Sequence, residues 1–477
     1  MRLRHLIVVI PGIGGSVLER AGEPIWGDGL LRAARRMCDP AALSLFPGDG
    51  VRAVGLIRSA SVVPGWTVMH GYERLVQGIC NSFEGVILDE GHPDRRVPDA
   101  DVVLFPYDFR HSVKVAAERL AAEVKSRFNG LGERDQRRRV VVVAHSMGGL
   151  VARWWLGPGG GWPLCRALVT LGTPHRGAPK ALAWLASGVR LKGVPVPAAT
   201  RVIRGWPSVY ELLPRYPAVI REQTGETCYP YELAVKGFGD NVRAADAFEV
   251  HKKIERAWGE VGPGPGGPKV TPFLGCGHPT LERASWGDAL SVTKDPAGWL
   301  GQEDWLGDGT VPAYAASPIE QAEVDEERWR YRPVRHGPLV SDPQMVKEVV
   351  ELLTRLESKP TTPVRGKPGD RPSLGVDVEE WYPAGEAAPV EVWLRRGRET
   401  VGAVNGVRVW ASWSPERGGP PTDVELERAG DRWVGELGGL VPGSYRLRVS
   451  ATGVAGGEPS PVHEVFGVVD PSSVGLA

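Results

Sequence analysis

The sequence VVVVAHSMGGLVARWW, at residues 140–155, joins a run of β-branched residues to an apolar helical pattern. Such a run predicts a strand that is buried on both faces of a sheet. Between the strand and the helix lies Ala144-x-Ser146-x-Gly148, in which the residues two before and two after the serine are small. A nucleophile elbow needs small residues there, because its serine occupies a sharp, strained turn. We therefore predict that Ser146 is a nucleophile; an ordinary glycine-containing turn is the alternative.

A second apolar strand, at residues 6–10, runs into the glycine-rich loop PGIGGS at residues 11–16. Glycines let a backbone approach a ligand closely and direct its N–H groups at it. In an α/β-hydrolase, the residue after the nucleophile and a residue of such a loop donate the two N–H groups of the oxyanion hole. Here these residues are Met147 and Ile13. The loop lacks the G-K-[ST] of a phosphate-binding loop, and a plain turn is the alternative.

Further strands and helices alternate on both sides of the elbow, as at residues 102–105, 113–128 and 167–172. Apolar strands that alternate with helices predict a mostly parallel sheet with helices on both faces. We therefore predict an α/β-hydrolase domain at residues 1–357. The alternation stops at about residues 178–267, where Trp, Tyr and Pro are frequent, and this predicts a cap inserted over the site.

Two aromatic residues of this cap, Trp206 and Tyr210, are candidates for binding the substrate. The same apolar character suggests a peripheral contact with a membrane through the cap.

The C-terminal part of the chain has a different pattern. Residues 358–372 are rich in Pro, Lys, Thr and Gly, which predicts a linker. Apolar and polar residues then alternate, as in VEVWL at residues 390–394, with turns between the segments. This alternation predicts an all-β sandwich, roughly immunoglobulin-like, at residues 373–477. It carries no catalytic constellation, so we interpret it as a packing module or as a module that binds another protein.

A serine needs a base that takes its proton and an acid that orients the base. The hydrolase fold supplies the three groups in the chain order serine, acid, histidine. Asp308, in a turn between two glycines, and His336, after the last predicted strand, follow Ser146 in this order. The predicted catalytic residues are therefore Ser146, Asp308 and His336.

Other residues compete for two of these roles. Asp304 is the alternative acid, and His278 and His175 are alternative bases. His278 precedes Asp308, so it would break the chain order. His145 belongs to the elbow, and we predict that it points away from the site.

Charge and cysteine content exclude several classes of protein. Lys+Arg and Asp+Glu both number 57, so the formal net charge is +0 and no nucleic-acid partner is indicated. The 5 cysteines are widely spaced and indicate neither a disulfide framework nor a metal site. No cofactor is predicted. No signal peptide is evident, and no apolar run approaches the roughly 20 residues of a membrane helix. A cytoplasmic location is therefore expected.

Six motifs occur together in one order. They are PGIGGS (11–16), PYDFR (106–110), AHSMGG (144–149), LGTPHRG (171–177), GDGTVP (307–312) and HG (336–337). As a set they resemble the lecithin–cholesterol acyltransferase family, and the chain is most similar to its bacterial members. The resemblance covers about residues 5–356. It implies a Ser-Asp-His acyl-enzyme mechanism on glycerolipids or other esters.

The animal members' disulfide-closed lid is not evident in this sequence, so lipoprotein partners are not implied. We predict a serine esterase or lipase whose substrate is a lipid or another acyl ester. One alternative is an O-acyltransferase, which passes the acyl group to an alcohol instead of water. The other alternative is a catalytically silent hydrolase scaffold that only binds, and the intact triad argues against it.

Overall fold

The computed structural model describes most of the chain. The described ranges are 1–27, 40–58, 61–63, 67–69, 71–129, 139–191, 194–233, 239–261, 269–297, 306–321, 329–358, 372–397, 399–403, 406–416 and 418–470. The alternative acid Asp304 and nearly all of the predicted linker lie outside the described residues.

Seven parallel strands of the described residues form the central sheet, in the spatial order β7-β6-β5-β4-β1-β3-β2. Their bounds are β1 Leu6–Ile10, β2 Leu88–Asp89, β3 Val102–Leu104, β4 Val140–His145, β5 Cys165–Leu171, β6 Lys269–Gly275 and β7 Arg330–Arg332. Every residue of β1 and β4 is buried, as expected for strands in the middle of a sheet that helices cover on both faces. The predicted mostly parallel sheet is confirmed.

Helices lie on both faces of this sheet. The α-helices are α1 Glu73–Ser82, α2 Val113–Phe128, α3 Met147–Leu156, α4 Pro179–Ala186, α5 Pro197–Arg204, α6 Pro207–Tyr210, α7 Asn241–Val261 and α8 Pro343–Ser358. Side chains of β4 alternate between two cores, because successive residues of a strand point to opposite faces. Val142 packs in the core that contains α2 and α3, whereas Val143 packs in the core that contains α1 and α8. Within the described residues, no helix is both long and apolar enough to cross a membrane.

The region between β5 and β6 contains α4 to α7 and part of a small four-stranded sheet. That sheet has the order Thr227–Cys228, Val219–Arg221, Arg283–Trp286, Leu290–Thr293. Its last two strands follow β6 in the chain, and Val219 pairs in parallel with Ala284. This small sheet therefore combines segments from both sides of β6. A cap over the site at about residues 178–267 stays a prediction.

The described residues form three further short sheets, of which the last one named here lies between α4 and α5. They comprise Ser16–Arg20 with Glu23–Trp26 and Val51–Leu56, Ser61–Val63 with Thr67–Met69, and Arg190–Leu191 with Val194–Pro195.

The C-terminal region consists of two sheets around a core of its own. Its strands are β8 Pro372–Val378, β9 Trp381–Pro383, β10 Ala388–Arg396, β11 Glu399–Val401, β12 Arg408–Pro415, β13 Thr422–Glu425, β14 Glu427–Ala429, β15 Arg432–Leu437, β16 Gly443–Thr452 and β17 Val462–Val469. One sheet has the order β8-β10-β15-β14, with β11 beside β10, and the other has the order β9-β17-β16-β12-β13. Pairing is antiparallel except between β9 and β17. The predicted all-β region is confirmed, and its immunoglobulin-like arrangement stays a prediction.

Candidate active site

Ser146 lies between the end of β4 and the start of α3, in a strained backbone conformation. Its φ is 51° and its ψ is −128°. Among the described non-glycine residues, Ala21 and Ser146 have a positive φ. Neighbouring glycines make this turn possible: a Cβ on Gly148 would lie 2.5 Å from the Pro11 carbonyl oxygen, and a Cβ on Gly12 would lie 2.8 Å from the Ser146 Cβ. Such strain at a strand–helix junction is typical of a functional serine.

His336 lies between Ser146 and Asp308 and contacts both. Its Nε2 is 2.9 Å from Ser146 Oγ, and its Nδ1 is 2.7 Å from Asp308 Oδ2. Asp308 is buried, and its Oδ1 accepts the N–H groups of Thr310 and Val311 at 2.9 and 2.7 Å. With the imidazole proton on Nδ1 facing the carboxylate, Nε2 can accept the hydroxyl proton of the serine. The structure thus brings the three predicted residues together, with His336 in contact with Ser146 on one side and with Asp308 on the other.

The two alternative histidines are buried and bonded to other groups. His278 Nδ1 lies 3.2 Å from the backbone nitrogen of Val376, and His175 lies between Arg153 and Thr170 at 3.3 Å from each. Burial lowers the pKa of both imidazoles, to about 4 for His278. Each is therefore neutral near pH 7. The His278 backbone also pairs with Gly307 and Asp308, so this histidine supports the turn that carries the acid.

His145 does not point away from the site, so that prediction is wrong. Its Nε2 lies 3.2 Å from the His336 carbonyl oxygen, and its ring centroid lies 5.0 Å from that of His336. Its Nδ1 lies 2.8 Å from the hydroxyl of Tyr72, which also accepts the Gly12 N–H at 2.8 Å. Burial raises the pKa of Tyr72, which keeps the hydroxyl protonated. These contacts connect the glycine loop, the elbow and the His336 loop.

Tyr72 was missed by the sequence reasoning. A tyrosine just before an amphipathic helix has the signature of an ordinary core residue, and only the fold brings it beside Gly12 and His145.

A cleft opens above Ser146 and has a cavity volume of about 80 Å³. Part of its lining is apolar, from Ile13, Ala178, Ala181, Trp184 and Leu212. The other part carries charges, from Lys180, Arg335, Glu380 and Glu464. The last two belong to the C-terminal β-region, which therefore contributes one wall of the cleft.

The predicted substrate contacts of Trp206 and Tyr210 are wrong. Both side chains are buried in the core, and neither belongs to the described residues that line the cleft. Trp206 Nε1 donates to the Leu43 carbonyl at 3.0 Å, and the Tyr210 hydroxyl donates to the Arg204 carbonyl at 3.0 Å. Their rings are buried, and the indole N–H and the phenol hydroxyl each donate a hydrogen bond inside the protein, as is usual for buried Trp and Tyr. The tryptophan that lines the cleft is Trp184.

The two predicted oxyanion donors belong to the cleft lining and to the helix that follows Ser146. Ile13 lines the cleft, and Met147 is the first residue of α3. The first N–H groups of a helix have no acceptor within it, and the helix dipole makes this end positive. Negative charge that develops beside Ser146 would therefore be stabilised. Among the described residues, no group of three or more His, Cys, Asp and Glu could hold a metal ion.

Residues 96–259 match the family model described as Lecithin:cholesterol acyltransferase. No curated protein sequence matches the chain. A solved structure, the crystal structure of the Tle4-Tli4 complex, is similar with a TM-score of 0.52 and 15% identity, over 74% of this chain and 99% of that chain. This likeness shows a shared fold. The mature form of the Bacillus licheniformis lipase BlEst2 aligns with a TM-score of 0.37 and 12% identity, over 73% of this chain and 91% of that chain.

Proposed function

We propose that this chain is a lecithin:cholesterol acyltransferase-like α/β-hydrolase and that it acts as a serine hydrolase of acyl esters. The match of residues 96–259 to that family model and the fold shared with a solved structure support the proposal. The observation that carries the proposal is the pair of contacts made by His336, at 2.9 Å to Ser146 Oγ and 2.7 Å to Asp308 Oδ2. Nucleophile, base and orienting acid within hydrogen-bond reach are the signature of covalent acyl transfer.

In the proposed reaction, Ser146 Oγ attacks the carbonyl carbon of the ester while His336 Nε2 takes the hydroxyl proton. Asp308 accepts a hydrogen bond from Nδ1–H and stabilises the imidazolium that forms. The N–H groups of Met147 and Ile13 donate to the oxyanion of the tetrahedral intermediate. His336 then gives its proton to the leaving alcohol, and the acyl group remains on Ser146. In the second half, His336 takes a proton from water, and the water oxygen bonds to the acyl carbon. The bond between that carbon and Ser146 Oγ then breaks, His336 returns the proton to Oγ, and the carboxylic acid leaves.

The lining of the cleft supports an acyl chain as the group that binds there, and we propose glycerolipids as the substrate class. Trp184, Leu212 and Ile13 offer apolar surface next to the nucleophile. A cavity of about 80 Å³ is smaller than the roughly 300–1,000 Å³ of pockets for drug-sized ligands. In this conformation, short esters would therefore enter most readily. An alcohol that takes the place of water would turn the same acyl-enzyme into an O-acyltransferase.

The test uses the full-length protein and a short p-nitrophenyl ester, followed by mixed glycerolipids with and without an added alcohol. We expect hydrolysis of the ester, and mass spectrometry should find a serine-directed phosphonate on Ser146. The matched control is Ser146→Ala, which lacks only the hydroxyl. A folded protein with neither turnover nor label would contradict the proposal and favour a silent scaffold. Acyl esters of the alcohol, found among the lipid products, would identify a transferase.

A further inference from the structure

The C-terminal β-region contacts the loop that carries the base and the segment, at residues 277–278, that pairs with the turn of the acid. Arg335, the residue before His336, is buried, and its Nε donates to Glu464 of β17. Its other two nitrogens donate to the backbone of β8, to the Val376 carbonyl at 2.8 Å and the Val378 carbonyl at 3.2 Å. One guanidinium thus binds both sheets of the C-terminal region. Because β8 is an edge strand, the backbone groups on its outer side are free to receive these bonds.

The segment that pairs with the turn of the acid contacts the same edge strand. His278, whose backbone pairs with Asp308, hydrogen-bonds through Nδ1 to the backbone of Val376. One residue earlier, Gly375 approaches Gly277 so closely that a Cβ on Gly375 would lie 2.4 Å from the Gly277 carbonyl oxygen. The loop of the base therefore contacts β8 directly, and the turn of the acid is linked to β8 through His278.

The ion pair of Arg335 and Glu464 is buried, since each side chain is 7% exposed. Burial alone lowers the pKa of Arg335, and the charges of Glu464 and Asp377 raise it overall, so the guanidinium stays charged. A buried pair of this kind contributes little net stability relative to apolar side chains, because both charges lose their hydration. Its main physical effect is geometric: planar hydrogen bonds fix the orientation of the guanidinium and of the backbone that carries it.

We propose that the C-terminal β-region contributes to catalysis by positioning the base. Arg335 is the positioning residue: through its contacts, the C-terminal region holds His336 against Ser146 and Asp308. This inference rests on the proposed function. The guanidinium binds Glu464, Val376 and Val378 on one side, and the next residue along the chain is the base. A displacement of about 1 Å at a catalytic group can cost 10²-fold in rate, so a loosened loop would be visible in turnover.

The experiment compares full-length variants that differ in this contact. Glu464→Gln keeps a hydrogen-bond acceptor and removes the charge. The double variant Arg335→Met/Glu464→Leu removes both charges and leaves no unpaired charge in the interior, so we expect it to fold even if the single variant does not. The matched control is Glu425→Gln, which breaks an ion pair with Arg408 in the same region. This pair is exposed: the exposed fraction of the side chain is 38% for Glu425 and 59% for Arg408.

We expect kcat for a short ester to fall by about tenfold or more in Glu464→Gln and in the double variant, with phosphonate labelling of Ser146 slowed in parallel. Circular dichroism and melting curves define the temperature below which each variant is folded, and kcat is measured there. Glu425→Gln should match the wild type. Loss of stability alone would not lower kcat of the folded protein.

Two outcomes would overturn the inference separately from the proposed function. A wild-type kcat in a folded double variant, or a change confined to KM, would mean that the C-terminal region only packs against the loop or lines the cleft. A wild-type chain that neither turns over an ester nor takes the label would overturn the proposed function, and the inference with it.

Discussion

The nucleophile and the base of the proposed triad are held in different ways. Ser146 follows a buried strand and precedes a buried helix, and its turn is shaped by Gly12 and Gly148 inside the hydrolase core. His336 follows a short edge strand of the sheet, and the residue before it is bound by Glu464, 129 positions further along the chain.

This difference separates local from long-range determinants of one site. The elbow depends on neighbouring residues in the sequence and on the central strands, which form the most buried part of the fold. The base depends on how a second β-region packs against the first domain. We therefore expect substitutions at the elbow to disturb the nucleophile directly, and substitutions at the contact with the β-region to disturb the base while the elbow stays intact.

The largest expected effect comes from removing the base. His336→Ala should lower turnover by several orders of magnitude, because the proposed mechanism needs its Nε2, 2.9 Å from Ser146 Oγ, to take the hydroxyl proton. The double variant Ser146→Ala/His336→Ala should be little worse than either single variant, since triad members act as a unit. His111→Ala, at a side chain 41% exposed, is the control. Near-normal ester hydrolysis by folded His336→Ala would contradict the assignment of the base.

A methyl group at the elbow should have the next largest effect. In Gly148→Ala, the new Cβ would meet the backbone oxygens of Pro11 and Ile10 at 2.5 and 2.8 Å, so the start of α3 must move. We expect turnover to fall by about 10²-fold, because the serine and an oxyanion donor move with the helix. Gly259→Ala, at a helical glycine with open space around it, is the matched control. Equal activity of the two variants would show that the elbow tolerates displacement.

A methyl group at the contact between the regions should act on the side of the site that holds His336 and Asp308, and leave the elbow in place. Gly375→Ala would place a Cβ 2.4 Å from the Gly277 carbonyl oxygen, which pushes β8 away from the loop. We expect turnover to fall by about tenfold, less than at the elbow, because Arg335 can still reach part of its partners. Gly438→Ala, with no atom within 4 Å of its new Cβ, is the control in the same region. An unchanged kcat for folded Gly375→Ala would mean that the contact does not position the base.

The sequence predicted those features whose determinants lie close together in the chain. The parallel sheet followed from continuous apolar runs such as residues 140–143, and the elbow geometry followed from the small residues around Ser146. The order of Asp308 and His336 after the nucleophile led to residues that the structure brings into contact.

The remaining features depend on contacts that no periodicity encodes. An alternating pattern says which face of a strand is buried, but not which loop packs against its free edge. The bonds from Arg335 to Val376 and Val378 were therefore invisible in the sequence. For the same reason, aromatic content led to Trp206 and Tyr210, which are buried in the core, and not to Trp184, which lines the cleft.

The last prediction has the smallest expected effect on turnover. It concerns how the free energy of unfolding depends on pH, and it originates at the same contact. The pKa of His278 is lowered to about 4, first by burial and then by the charge of Arg335, although the Val376 backbone, Glu464 and Asp308 oppose the shift. Between pH 6.5 and 4, the unfolded chain therefore binds a proton at this position that the folded chain does not. The free energy of unfolding should fall as the pH drops through this window, by about 3 kcal/mol at most.

His175 and His251 are also buried with lowered pKa values and add to the slope with the same sign. Urea unfolding at pH 7, 6 and 5 measures the slope, and His278→Gln should make it shallower, although the variant is less stable at every pH. Ester hydrolysis by the folded fraction should change little with this substitution, because Ser146 and its strand stay in place. An identical slope in the variant and the wild type would mean that His278 is protonated in the folded protein, and that the contact with β8 does not exclude its charge.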